Sequence, residues 1–181
     1  MYDEEILKEK NRSLQEVLEI QKGMCQVYER VKNRNDLGIG AELLTVDILE
    51  KTGKKIIGDK QVIGDLKEWR WAAVPRLLNN KLSAYTAEEW YACLYFKLFL
   101  DYTIPMMSRI LSQNPLLPGT FWRGELIYMV LKLEDDFWQQ HEEWKRYFQE
   151  LLHGVLGKYS EVEIVEAIGE KPYGLLKEVM E

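Results

Sequence analysis

At 181 residues, 46% of them hydrophobic and 30% charged, the chain can bury one core and is too apolar to be disordered, so a single domain spanning 1–181 is expected. Its formal charge of −6 hides an asymmetry: from Glu134 onward twelve carboxylates face five cations, −7, and the first 133 residues sum to +1. Such a field bears on steering and partner choice, excludes a generally basic nucleic-acid binder, and says nothing of fold.

The N-terminus, MYDEEILKEK, has acids where an export signal needs a basic and then an apolar segment. The most apolar stretch, Trp90 to Leu100, contains Lys97 and is far short of the roughly 20 residues that span a bilayer. Cys25 and Cys93 are too few for a disulfide framework and are not spaced as a metal knuckle. A reduced, cytoplasmic protein without membrane attachment is expected.

Taken in chain order, residues 3–33 read as one long helix, with Leu7, Leu14, Val17, Met24, Tyr28 and Val31 on one side. Its stripe suits packing on its own bundle, and Lys10 and Gln21 at seam positions weaken a coiled coil. A turn cluster over 33–40 ends it, and 41–51 supplies a short second helix. The stretch 52–65 carries Ile56-Ile57 and Val62-Ile63 among Gly53, Gly58 and Gly64, which predicts a small hairpin or an ordered loop. Helical spacing returns over 66–82, where Pro75 must kink the helix or begin a new one. Thr86 with Glu89 forms a capping-box pattern that starts a central, mostly buried helix, bent or divided at Pro105. After Pro115 and Pro118-Gly119, Thr120 is expected to cap a long helix running to about Leu152, with Phe137, His141, Trp144, Phe148 and Leu151 along one face. Ser160 with Glu163 is a further capping box, and a last helix follows Pro172. No period of 20 to 50 residues repeats, so the fold class is all-α, an irregular multi-helix bundle.

Candidate sites are few. His141 lies near Glu134, Asp135, Asp136 and Glu142, but a carboxylate metal site needs Glu-x-x-His from paired helices and a zincin needs two His four apart; neither occurs. His141 therefore reads as a core-edge residue. Lys97 and Asp101, four apart on the central helix, can pair, either as a solvated face or as the acid–base element of a pocket between helices. Gly38-Ile39-Gly40 and Gly53-Lys54 fall short of dinucleotide and P-loop fingerprints. Residues 54–82 are locally basic, +4, and include Trp69 and Trp71, but the net acidity of the chain disfavours direct nucleic-acid binding.

These readings point to a helical protein-binding module, in one concrete form an immunity or antitoxin-type inhibitor of a basic partner protein. Its expected partner-facing residues are Asp135, Trp138, Glu142 and Glu143: Trp144 shares the apolar row and should be core, leaving Trp138 nearer the surface among carboxylates. No catalytic, cofactor or metal site is expected. Two alternatives stand beside this: a small enzyme or ligand-binding protein with a pocket near Lys97 and Asp101, and a structural or regulatory subunit forming a homodimer through its N-terminal helix.

Overall fold

The structure, a computed structural model, describes residues 38–180. The long helix expected over 3–33, with its dimerisation reading, lies outside the described residues. Among those described, eleven α-helices follow one another without a strand, as the all-α reading requires. They are α1 (Val46–Leu49), α2 (Gly53–Ile57), α3 (Lys60–Glu68), α4 (Ala73–Asn79), α5 (Ala87–Tyr95), α6 (Leu100–Gln113), α7 (Glu125–Leu131), α8 (Asp135–Gln140), α9 (Glu142–Leu156), α10 (Glu161–Ile168) and α11 (Glu170–Glu178), with a 3-10 turn at Leu82–Ala84.

The core is built where α5, α6 and α7 meet, around Trp90, Leu94, Ile104, Met107, Leu126 and Ile127, all buried. Helix α4 packs on one side of α5, and α9 and α11 close over α7 through Phe148, Leu152 and Leu176. Burial of whole side chains of this size contributes about 1.5–3 kcal/mol each before the entropy of ordering is subtracted. Cys93, also in this core, is fully buried, and burial pushes its thiol well above the ordinary value, so it is an inert apolar side chain.

The hairpin or ordered loop expected near 53–65 is replaced by helices α2 and α3. Thr52 Oγ1 accepts from Lys55 N at 3.4 Å, and Asp59 Oδ1 accepts from Gln61 N and Val62 N at 2.8 and 3.1 Å. Those side chains occupy the backbone donors that open each helix. Gly58, at φ +66°, reverses the chain between them, so the glycine that suggested a β-turn serves as a helix terminator. Only an isolated antiparallel bridge, Thr52 with Lys81, remains of strand pairing in the described residues.

Pro75 begins a new helix: it occupies the first turn of α4, where its missing N–H has no intrahelical partner to lose. The central helix divides earlier than Pro105. Leu98 N donates to Cys93 O at 2.8 Å and Lys97 N to Leu94 O at 3.2 Å, which is the hydrogen-bond pattern of a Schellman terminus closing α5. Lys97 takes the left-handed position there, φ 54°, where glycine is usual. Helix α6 then runs through Pro105, whose carbonyl accepts from Ser108 Oγ at 2.8 Å and from the buried Arg109 guanidinium.

The single long helix expected over 120–152 is three helices, α7, α8 and α9. Thr120 caps none of them; its backbone N–H donates to the Glu125 carboxylate at 2.6 Å. No proline or glycine marks the breaks at 132–134 and at His141, which is why spacing alone joined the three.

Candidate functional site

The acidic stretch forms a face across α8 and α9. Asp135, Trp138, Gln139, Glu142, Lys145, Arg146 and Gln149 recur at three- and four-residue steps and line an open groove of about 410 Å³. Helical phase therefore survives the one-residue break at His141. Asp135 and Glu142 are exposed, and Lys145 reaches back to within 3.9 Å of Asp135. Glu143 is exposed but is not part of the groove lining.

The two tryptophans exchange the places the sequence predicts. Trp138 is 2% exposed, packed edge-on against Phe137 at 5.0 Å, with its indole N–H buried and unpartnered. Trp144 is only half-buried and stacks on His141 at 4.5 Å. The break at 132–134 rotates α8 so that Trp138 turns inward, and the apolar row ends its burial at Phe148 instead. His141 sits between Phe137 and Trp144, at 4.7 and 4.5 Å, as a core-edge ring. Among the described residues no group of three or more His, Cys, Asp or Glu converges on a metal position.

The expected Lys97–Asp101 pair does not form. The chain leaves helical geometry at 96–99, and Lys97 instead makes an ion pair with Glu134, joining the C-terminus of α5 to the residue that opens α8.

Beside that ion pair lies a surface that the sequence flagged only through Trp69 and Trp71. Trp69 meets Tyr95 and Phe96 at ring separations of 5.7 and 5.0 Å, and Trp71 meets Tyr91 and Tyr95 at 5.5 and 6.0 Å. Phe121 continues the row against Tyr91 at 6.5 Å. Most of these contacts are edge-to-face, the arrangement aromatic quadrupoles favour. Burial is incomplete: Trp69 is 49%, Tyr95 46% and Phe121 79% exposed.

Three carboxylates, the half-buried Glu88 and the buried Glu89 and Glu125, hold this patch in shape. Trp71 Nε1 donates to Glu88 Oε1 at 3.2 Å, and Arg76 bridges Glu88 and Glu89. Glu89 is fully buried; burial pushes its carboxyl up, but hydrogen bonds from Thr86 and Arg76 outweigh this and hold it below the usual carboxylate range. It also completes the capping box with Thr86 that starts α5, as the sequence predicts. Glu125, 3% exposed, accepts from the backbone of Thr120 and Phe121 at 2.6 and 2.9 Å and so presents the Phe121 ring. A Cβ at Gly119 would lie 2.6 Å from the Tyr91 ring and 2.9 Å from the Glu125 carboxylate, so this loop approaches α5 only because the residue is glycine. Burial, with Glu125 nearby, raises the Tyr91 phenol above its ordinary value, keeping it neutral.

Fold and surface together define an all-α protein presenting charged and aromatic faces of the kind used in protein interfaces. Residues 66–148, a little under half of the chain, match the model of a family described as CDI immunity proteins. The matched stretch contains all of the aromatic patch and all of the groove lining except Gln149. No curated protein and no solved structure matches. No helix of the described residues is long and apolar enough to cross a membrane.

Proposed function

We propose that the chain is an immunity protein that binds a protein toxin in the cytoplasm and blocks it by covering the surface the toxin needs. The match of residues 66–148 to CDI immunity proteins carries this reading, and the surfaces inside that stretch supply its physics. Asp135, Glu142 and Glu143 are exposed carboxylates around an open groove, and the net negative charge lies from Glu134 onward. They steer a basic partner toward the face of α8 and α9, where Lys145 and Arg146 share the groove with Asp135 and Glu142 and can take acidic groups of the same partner. Such steering acts on the association rate and is screened by salt. No cofactor or metal takes part in this function.

The test is co-production with the protein encoded beside the chain's own gene, chosen as the toxin domain if it arrests growth when produced alone. Growth of cells making both, arrest of cells making the toxin domain alone, and co-purification of the pair are expected. Arrest despite full production of the chain, with no complex on gel filtration, overturns the reading.

A further inference from the structure

We propose that the groove of α8 and α9 reads a pair of opposite charges on the toxin, a cation at Glu142 and a carboxylate at Arg146, so that Arg146 sets which basic partner is retained. This rests on the immunity reading above and assigns the residue that discriminates among partners. The groove lining itself carries no net charge: Asp135 and Glu142 are matched by Lys145 and Arg146. The net acidity of α8 and α9 comes from carboxylates outside the lining, Asp136, Glu143 and Glu150, all exposed. Those three add to the field that steers a partner from a distance, whereas the groups in the groove meet it at contact.

Within the lining the four charges are not equally free. Lys145 reaches Asp135 at 3.9 Å, whereas Glu142 and Arg146, both exposed, enter no ion pair with any described residue. They stand four residues apart on α9, so one turn, about 6 Å along the axis, separates their points of attachment. A Glu four residues before an Arg is placed to pair within its own helix; here both side chains stay open to a partner. The Arg146 guanidinium can give a carboxylate two parallel hydrogen bonds, and Gln149, three residues on in the same lining, adds an amide donor. A wholly basic surface would set its cations against Lys145 and Arg146, and such like-charge contacts reject a partner. The segment that fits carries Lys or Arg and, about one helical turn away, Asp or Glu. A second copy of this chain matches in charge but not in shape, because a two-fold arrangement lays groove on groove and leaves the space between them unfilled.

The experiment uses the growth-arresting protein encoded beside the chain's own gene and measures its association and dissociation by surface plasmon resonance at two salt concentrations. The intact chain is compared with Arg146→Gln, Arg146→Glu, Glu142→Gln and, outside the groove, Glu150→Gln. Melting temperatures should stay at the wild-type value, because all three positions are exposed. Arg146→Gln and Glu142→Gln should each raise the dissociation rate about tenfold and Arg146→Glu more, whereas Glu150→Gln should change it less than about twofold. Steering alone demands the opposite of Arg146→Glu, which makes the chain more acidic: faster association with a basic toxin and dissociation no faster than wild type. That result overturns this inference and leaves the immunity reading standing, whereas absence of binding by the intact chain overturns both. Should Arg146→Glu fail to fold, Arg146→Gln decides: a wild-type dissociation rate overturns the inference. A dimer of the chain alone on gel filtration, converted to monomer by either Arg146 substitution, assigns the groove to a second copy and also overturns it.

Discussion

The groove of α8 and α9 and the aromatic patch of the 69–72 connection, α5 and the 114–124 loop are built on opposite plans. In the groove, charge is exposed and the large ring is hidden: Asp135 and Glu142 face solvent while Trp138 is 2% exposed. In the patch, the rings are exposed and the carboxylates hidden: Trp69 and Tyr95 are nearly half exposed while Glu89 and Glu125 are buried. The difference teaches that acids and aromatics close together in sequence need not make one hot spot. A ring beside carboxylates anchors a partner only if it is left uncovered.

The sharpest way to break this comparison is to truncate one tryptophan on each side. Trp138→Ala should destabilise the fold by about 3–5 kcal/mol in a denaturant titration, as large core truncations do, whereas Trp69→Ala should change stability by about 0.5 kcal/mol or less. Equal losses would mean the two rings are not differently placed.

The Arg76 bridge gives the next largest effect. Glu89 is fully buried while the Arg76 side chain is 41% exposed, so the two are not equivalent. Arg76→Met strands a buried carboxylate and should cost about 2–3 kcal/mol, reduced from the range for wholly buried pairs because solvent already screens the guanidinium. Glu89→Gln leaves a cation that water can solvate and should cost about 1 kcal/mol. A reversed order would contradict the assigned burial. The pair also sets an acid limit. Because Glu89 has a folded-state pKa below its ordinary value of 4.5, its stabilisation is present above that value and is lost as pH falls through the folded value. Melting temperature should therefore fall on acidification below about pH 4.5, and more steeply in the wild-type chain than in Glu89→Gln.

The smallest effect lies at the ion pair that joins the end of α5 to the start of α8. Lys97 holds a left-handed position that glycine occupies more easily, and its exposed ion pair with Glu134 offers little stability in return. Lys97→Gly should leave the melting point unchanged or raise stability by up to about 1 kcal/mol. A loss above that size would show that the ion pair holds α5 against α8.

Much of the helical content was legible, because the capping boxes at Thr86–Glu89 and Ser160–Glu163 form as their spacing requires. Elsewhere the signals were ambiguous for physical reasons. Gly58 closes a helix as readily as it turns a hairpin, and the same isoleucine and valine pairs serve both. The breaks at 132–134 and His141 carry no proline or glycine, so periodicity ran through them and placed Trp138 outside and Trp144 inside. Of the candidate site, the exposure of Asp135, Glu142 and Glu143 agrees with the sequence reading, whereas the sharing of the groove with Lys145 and Arg146 was not foreseen. The patch was half legible through Trp69 and Trp71; Tyr91 and Tyr95 sit on a helix that reads as mostly buried, and Phe121 sits on the Glu125-held loop.

The central claim is that exposed carboxylates of α8 and α9 steer a basic toxin onto this chain. Stopped-flow association of the neighbouring-gene toxin domain with wild-type protein and with the doubly substituted Glu142→Lys, Glu143→Lys chain, across a range of salt, tests it most directly. The account predicts association slowed about tenfold at low salt and a shallower dependence on ionic strength in the variant. Equal rates and equal salt slopes for the two proteins would contradict it.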